Sequence, residues 1–430
     1  MTVQVDSPAS AGERDAFGRR IIELAARLAQ WSETPDGLTC TYLTPAHRAA
    51  ADDLRELMRA AGMTVEIDGV GNVVGRYAAA DPAATKTLIV ASHYDTVLNA
   101  GSYDGRLGIL AGLVAVEHLN RSGRRLPFHL EVIGFAEEEG VRFSAHYIGS
   151  SAIAGCFDMR VLQRRDAGGQ SVADVMHKAG FDPEAIPSLA RRPQDLLGYI
   201  ELHIEQGPVL EQKGLPVGVV TAIAGATRLA AHLTGMAGHA GTVPMAMRRD
   251  ALAGAAECIT KIEELCQTDG GGLVGTVGYI DAMPGATNVI PGRVNFTLDI
   301  RAPTDPHRKR AVADIVRHIE AIAKRRTLAL QVDVTHENRT VPCAPWLKAQ
   351  VAEAVDAEGF SVFELPSGAG HDGMAMIDIA DVAMLFVRCR GGISHHPDEH
   401  VETADADAGA RVLLRLIENF RPREAAPAVK

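Results

Sequence analysis

Two short apolar runs constrain this chain more than any other feature, because each breaks off into titratable residues. Residues 87–92 (Thr-Leu-Ile-Val-Ala-Ser) lead into His93-Tyr94-Asp95-Thr96-Val97, and residues 129–135 lead into Ala136-Glu137-Glu138-Glu139-Gly140. Runs of this length and composition read as buried strands, and the glycine-preceded helical stretch 107–121 between them completes a strand–helix–strand unit of an α/β sheet. Ligands bind at the carboxyl ends of such strands. Three adjacent carboxylates there repel one another unless cations or protons compensate. A metal resolves the conflict, with one carboxylate as ligand and a neighbour as general base; an acidic helix start near a positive dipole end is the plainer alternative. His93 offers a neutral imidazole, and Asp95, on the same strand face, suits the role of fixing its tautomer. A simple hydrogen bond at a strand end would use the same two residues. Asp104 lies in the turn Gly101-Ser102-Tyr103-Asp104-Gly105, just ahead of the helix, where one carboxylate can bridge two cations.

A chain of 430 residues exceeds the roughly 250–300 at which single cores stop growing, so two domains are expected. Helical spacing marks residues 16–31 and 44–61, and short β-rich runs follow at 64–67 and 73–77. From 217 to 332 glycine- and threonine-containing strands alternate with helical stretches at 250–266 and 305–325, the order of an α+β insertion. A helix at 346–358, a buried strand at 382–387 and an amphipathic helix at 404–420 return to the earlier style. The expectation is a main domain of 1–216 and 333–430, interrupted by a smaller one of 217–332.

Hydrophobic residues at 47% and charged residues at 23% exclude a disordered or fibrous chain, and no apolar stretch is long enough for a membrane span. The opening twelve residues lack the pattern of a secretory signal, so a cytoplasmic location is expected. Residues after Arg421 read as a disordered tail. Six scattered cysteines without a CxxC pair signal neither disulfides nor a thiolate metal site and read as small buried hydrophobes. A formal charge of -11 argues against nucleic acid as partner. Two further histidines stand beside Gly and Pro, His203 in Tyr199-Ile-Glu-Leu-His-Ile-Glu-Gln-Gly-Pro208 and His395 in Gly392-Ile-Ser-His-His-Pro-Asp-Glu399. They complete a nitrogen and oxygen donor set of the size borderline cations require. His118, His177, His307 and His318 read as ordinary satisfied residues.

The succession SHYDTV, SYDGRLG, AEEEGVRF, ELHIEQGP, GHAGTVPM, NVIPGR, LDIRAP, SGAGHD and GISHHPDE, in this order from about His93 to Glu399, resembles the hydantoinase/carbamoylase branch of the dizinc aminoacylase and carboxypeptidase-like superfamily. The resemblance implies an α/β, dimetal-exopeptidase-like catalytic domain, a mixed sheet between helices, interrupted by a ferredoxin-like α+β domain that serves dimerisation and acts as a lid. It implies a first metal held by His93, Asp104 and His203 and a second held by Asp104, Glu139 and His395. Glu138 becomes the general base and Asp95 the partner of His93. Glu137 precedes this pair and His396 follows His395; the family pattern of two glutamates directly before Gly, and of Ser-His-any-Pro, selects Glu138, Glu139 and His395. The ions would be divalent, Zn or Mn foremost, with Co or Ni also compatible. A cis peptide after Asp104 is a further implication, eased by Gly105.

The same resemblance carries the substrate side. Arg301 ends an inserted-domain strand and can hold a carboxylate through two parallel hydrogen bonds, with Asn288 completing the clamp; an ion pair with Asp299 or Asp281 is the structural alternative. Gln206 resembles a reader of the ureido group, and the backbone at Gly368 and Gly370 would close the carboxylate side. His239 resembles a histidine that steadies the oxyanion and comes from the partner subunit, which implies a homodimer through the inserted domain. The implied activity is cleavage of the ureido or carbamoyl C–N bond of a small carboxylate, with release of ammonia and CO2 in nitrogen salvage. Allantoate is the first choice, because Phe386-Val-Arg-Cys-Arg-Gly-Gly-Ile-Ser-His-His-Pro397 and Arg301 suit a polar ureido acid. N-carbamoyl-L-amino acids and N-carbamoyl-β-alanine stand next. More remote are a metallo-dipeptidase or aminopeptidase sharing the metal chemistry, and a non-catalytic metal-binding scaffold, which the presence of Glu138 disfavours.

Overall fold

The computed structural model describes residues 15–423; the expectations for the chain start and for the tail beyond 423 fall outside them. Contacts divide the chain into two compact units. The first takes the described residues of Met1–Thr221, Cys343–Leu365 and His371–Lys430, and the second takes Ala222–Pro342 and Pro366–Gly370. These divisions compare with the expected boundaries after 216 and 332; strand Ala329–Asn338 runs through position 332.

The first unit is built on a mixed sheet ordered Thr64–Ile67, Val73–Tyr77, His129–Phe135, Thr87–His93, Leu196–Ile204, Val382–Val387, Val217–Ile223. The strands His129–Phe135, Thr87–His93, Leu196–Ile204 and Val382–Val387 run parallel. Every residue of Thr87–His93, His129–Phe135 and Val382–Val387 is buried, which explains their near-continuous apolar composition. Alternation sorts the two faces. On one, Leu202 meets helices Arg106–Arg121 and Thr403–Glu418; a Cβ added to Gly108 would overlap the Leu202 carbonyl, and one added to Gly409 would crowd Leu202 and Val387. On the other, Glu201 receives the backbone N–H of Gly373 at the start of helix Gly373–Met376.

Local signals account for two of the opening helices. Ala16–Leu28 buries Ile21, Leu24, Ala25 and Leu28, a stripe at helical spacing. Pro45–Ala60 starts with proline at its first position behind Thr44, whose hydroxyl accepts the His47 N–H.

The second unit is an α+β sandwich. Its sheet runs Ile280–Met283, Arg293–Ala302, Gly225–Thr234, Ala329–Asn338, all antiparallel, and helices Ala251–Asp269 and Asp305–Arg325 pack on it around Phe296, Leu298, Ile300 and Ile315. Numbered by their order along the chain, these four strands read second, third, first, fourth across the sheet, the ferredoxin-like arrangement expected. Two expectations fail. The described cis peptide is Met283–Pro284 and the bond after Asp104 is trans, an arrangement in which the Gly105 N–H points at His203 Nε2 at 3.1 Å. All six cysteines are free, but Cys156 is exposed and Cys266 only half-buried; Cys156 follows Gly155, which ends helix Ile148–Ala154 in a left-handed turn at the surface.

His47 is fully buried, and burial lowers its pKa from 6.5 to about 4 against the opposing bond from its Nε2 to the Ala136 carbonyl. The unfolded chain protonates this ring near 6.5 while the folded one does not, so its stabilisation is complete above that pH and is lost as pH falls toward 4, at about 1.4 kcal/mol per pH unit. In chelator-treated protein, the drop in urea midpoint between pH 7.5 and 5 should be smaller for His47→Gln than for wild type. Equal drops would remove this assignment.

Candidate metal centre

At the carboxyl edge of the parallel strands, three stretches distant in sequence converge on Asp104. His93 is the last residue of its strand and His203 the penultimate residue of Leu196–Ile204, so the sheet itself places both imidazoles. Asp104 precedes helix Arg106–Arg121 and is buried. Its Oδ1 lies 3.4 Å from His93 Nε2 and 3.2 Å from His203 Nε2, while its Oδ2 lies 3.2 Å from His395 Nε2. His395 Nε2 is in turn 3.4 Å from Glu139 Oε1. Three donor groups result, each with ligand atoms within 4.8 Å of one another: His93, Asp104, His203; Asp104, Glu139, His395; and His93, Glu138, Glu139. The two oxygens of Asp104 are thus divided between two sets.

A second carboxylate holds the turn that carries the glutamates. Asp95 is fully buried; its Oδ1 accepts the Glu138 N–H at 3.0 Å and its Oδ2 the Glu139 N–H at 3.1 Å. His93 Nδ1 faces the Asp95 carbonyl at 3.2 Å and its Oδ1 at 3.4 Å. Upstream, both backbone groups of Ala136 are taken by side chains, the N–H by Asn72 Oδ1 at 3.0 Å and the carbonyl by His47 at 2.6 Å.

The electrostatics express one conflict. Burial pushes Asp104 up, but hydrogen bonds with His203, His395 and His93 outweigh it and hold its carboxyl well below the usual range. For His93 and His203 burial acts downward and is overcome, mainly by Asp104, so both rings are raised. His395, half exposed, is raised to about 9 by its bond to Asp104. Burial raises Glu139 to about 7, with the Asp104 charge adding to it, and drives Glu138 well above its ordinary value. The lone pairs that hold these protons are those a divalent cation takes, and three imidazoles with the Asp104 and Glu139 carboxylates are donors suited to a borderline metal. The residues therefore fit a pair of divalent ions. Glu137 belongs to none of the donor groups and is raised by burial and by Asp95; exposed His396 pairs instead with Asp398 at 3.5 Å.

Gln206 stands at the same place. Its amide Nε2 donates to Asp104 Oδ2 at 2.7 Å and to Ser394 Oγ at 3.2 Å. Both Gln206 and His395 have left-handed backbone, φ 56° each, a conformation that costs on the order of 1 kcal/mol or more and persists where surroundings enforce it. The remaining expected residues, His239, Asn288, Arg301, Gly368 and Gly370, belong to the second unit. There, exposed His239 pairs through its strand with Val289, and the Ala240 N–H donates to the Asn288 carbonyl at 2.9 Å, so the two are neighbours. Arg301 makes the ion pair that the sequence left as an alternative: its Nε and Nη2 fork onto Asp299 at 2.8 and 3.0 Å, and its Nη1 donates to the Gly368 carbonyl at 2.6 Å. Sequence reasoning assigned no role to His47, Asn72, His371, Ser394 or Glu399. His371 packs its ring 4.5 Å from that of His203, and Ser394 and Glu399 flank His395 within a motif that had been read only for its histidine.

Residues 89–419 match the family described as Peptidase family M20/M25/M40. The chain is 41% identical to an N-carbamoyl-L-amino acid amidohydrolase of Geobacillus stearothermophilus, over 93% of this chain and 98% of that protein. It is also 41% identical to allantoate deiminase 1 of Glycine max, over 93% and 89%. Among solved structures it is similar to a hydantoinase/carbamoylase family amidase of Burkholderia multivorans, at 32% identity and a TM-score of 0.88 over 93% of this chain and 97% of that one. With the fold and the shared Asp104 in place, these matches assign the chain to the M20/M25/M40 peptidase family and, within it, to the hydantoinase/carbamoylase amidases.

Proposed function

We propose that this chain is a two-metal amidohydrolase that cleaves the ureido C–N bond of a small carboxylate, with allantoate as first substrate and N-carbamoyl-L-amino acids as second. The observation that carries this is the division of Asp104 between two donor sets with Glu138 beside both His93 and Glu139. Relatives named for both substrates are equally similar, at 41% identity, which keeps the second reading beside the first.

His93, Asp104 and His203 would hold one ion and Asp104, Glu139 and His395 the other, Zn or Mn foremost; when bound, such ions polarise a carbonyl and make water acidic. Glu138 takes the proton as water oxygen bonds to the ureido carbon, and returns it to the leaving nitrogen as the C–N bond breaks. Its burial, which raises its carboxyl, suits a group that must both accept and give up a proton near neutral pH. Asp95 keeps Glu138 and His93 oriented through its three contacts. The carbamate released decomposes to CO2 and ammonia. Gln206 is proposed to face the ureido group, and Arg301, Asn288 and the backbone of Gly368 and Gly370 the substrate carboxylate. His239 is proposed to steady the oxyanion from a partner subunit, in a homodimer formed through the inserted unit. Its own exposure, with that of Met236, Met245 and Met247 nearby in sequence, supports an interface there. No described helix is long and apolar enough to cross a membrane; a cytoplasmic location is proposed with the six free thiols as its support.

Chelator-stripped protein should release no ammonia from ureides, and reloading with Mn or Zn should restore release from allantoate above that from N-carbamoyl-L-amino acids and N-carbamoyl-β-alanine; a metal-loaded sample inert on all three, or active only on dipeptides, sinks the proposal. Glu138→Gln should lower kcat by about 100-fold or more, in the range of general-base losses, while metal content stays at the wild-type level; turnover within a few-fold of wild type would reassign the base. Co-expressed Glu138→Gln and His239→Ala chains, each inactive alone, should regain activity as mixed dimers with one complete site. If His239 acts within its own chain, the mixture stays inactive.

A further inference from the structure

Glu399 joins the two loops that bring Asp104 and His395 together. It is 5% exposed, and its Oε1 accepts two backbone N–H groups from the first loop, Tyr103 at 2.8 Å and Asp104 at 3.0 Å. Its Oε2 accepts the Ser394 hydroxyl at 3.1 Å, one residue before His395. The turn leading to it is closed by the Glu399 N–H on the His396 carbonyl at 3.0 Å. Space for this carboxylate is made by Gly101, where an added Cβ would overlap the Glu399 side chain.

The Ser394 hydroxyl has one hydrogen and two carboxylates to choose from, since Asp104 Oδ2 lies 2.7 Å from its oxygen. That same Asp104 oxygen is the one nearest His395. The Gln206 amide also donates to that oxygen at 2.7 Å, so a cation held there and a hydroxyl hydrogen pointed there compete for the lone pair that remains. Glu399 gives the hydrogen a second acceptor, so it can turn away without leaving the Ser394 hydroxyl unsatisfied in a largely buried place.

We infer that Glu399 is a positioning residue for the second metal: it fixes Asp104 against His395 through the backbone and takes up the Ser394 hydrogen when Asp104 Oδ2 is given to a cation. This rests on the reading of Asp104 as the ligand shared by two ions. Carboxylates that orient metal ligands from behind typically contribute about 10- to 100-fold in affinity, and the effect should fall chiefly on the second ion, because His93 and His203 lie outside this network.

The test is stepwise titration of the chelator-stripped full chain with Zn or Mn, followed by calorimetry and by metal analysis after gel filtration. Wild type should bind two equivalents. Glu399→Ala should keep the first near wild-type affinity and weaken the second by about 10- to 100-fold. Glu399→Gln keeps acceptors for the backbone but places an amide N–H at Ser394, so its loss should be smaller. Gly101→Ala, which leaves Glu399 in the chain but pushes it aside, should weaken the same equivalent and serves if Glu399→Ala does not fold. A second equivalent bound as in wild type by Glu399→Gln and Gly101→Ala overturns the inference alone. Fewer than two equivalents in wild type overturns the shared-ligand reading and this inference with it.

Discussion

The structure depends on how a group of buried carboxylates at one edge of a parallel sheet is brought to electrical balance. Asp95, Asp104, Glu137, Glu138 and Glu139 are all buried or nearly so, and carboxylates gathered in a low-dielectric site cannot all carry charge without compensation. The three imidazoles around Asp104 hold its carboxyl low, while burial pushes Glu138 and Glu139 up. A centre balanced in this way stores its demand for positive charge at defined atoms. Divalent ions meet that demand more completely than protons do, because one ion serves several lone pairs at once.

Position within this centre is set by backbone as much as by side chains. The sheet fixes His93 and His203 as neighbours across adjacent parallel strands, while Asp95 fixes the glutamate turn by accepting two consecutive N–H groups. One carboxylate thereby couples His93 on one strand to Glu138 and Glu139 after the end of the next. This explains why the turn is so heavily held: Asn72 and His47 occupy both polar groups of Ala136 immediately before it, so a shift of the strand end would break several buried hydrogen bonds together.

Much of this was legible in the sequence, for physical reasons. Strands buried on both faces must be apolar throughout, so Thr87–His93, His129–Phe135 and Val382–Val387 stood out as runs, and the titratable residues at the ends of the first two pointed to ligands and a base beside the plainer readings of a strand-end hydrogen bond and an acidic helix start. The resemblance named His93, Asp104, Glu139, His203 and His395 as a donor set, and the structure gathers these side chains around Asp104. What escaped were groups whose partners lie far along the chain and are backbone atoms. Nothing local tells that His47 serves the Ala136 carbonyl or that Glu399 serves the Tyr103 and Asp104 N–H groups. Nor could spacing decide between the two uses of Arg301, because Asp299 and a substrate carboxylate offer its fork the same geometry.

The second compact unit is spelled out between His203 and His395, and that order has a consequence for synthesis. A nascent chain presents His93, Asp104, Glu139 and His203 well before the last imidazole emerges, with some 190 residues, most of them another folding unit, still to come. Four of the five residues proposed as ligands can therefore gather before the fifth is made, and the set around Asp104 is completed only when translation is nearly finished. Completion of the set that joins Asp104 to His395 thus depends on synthesis of nearly the whole polypeptide.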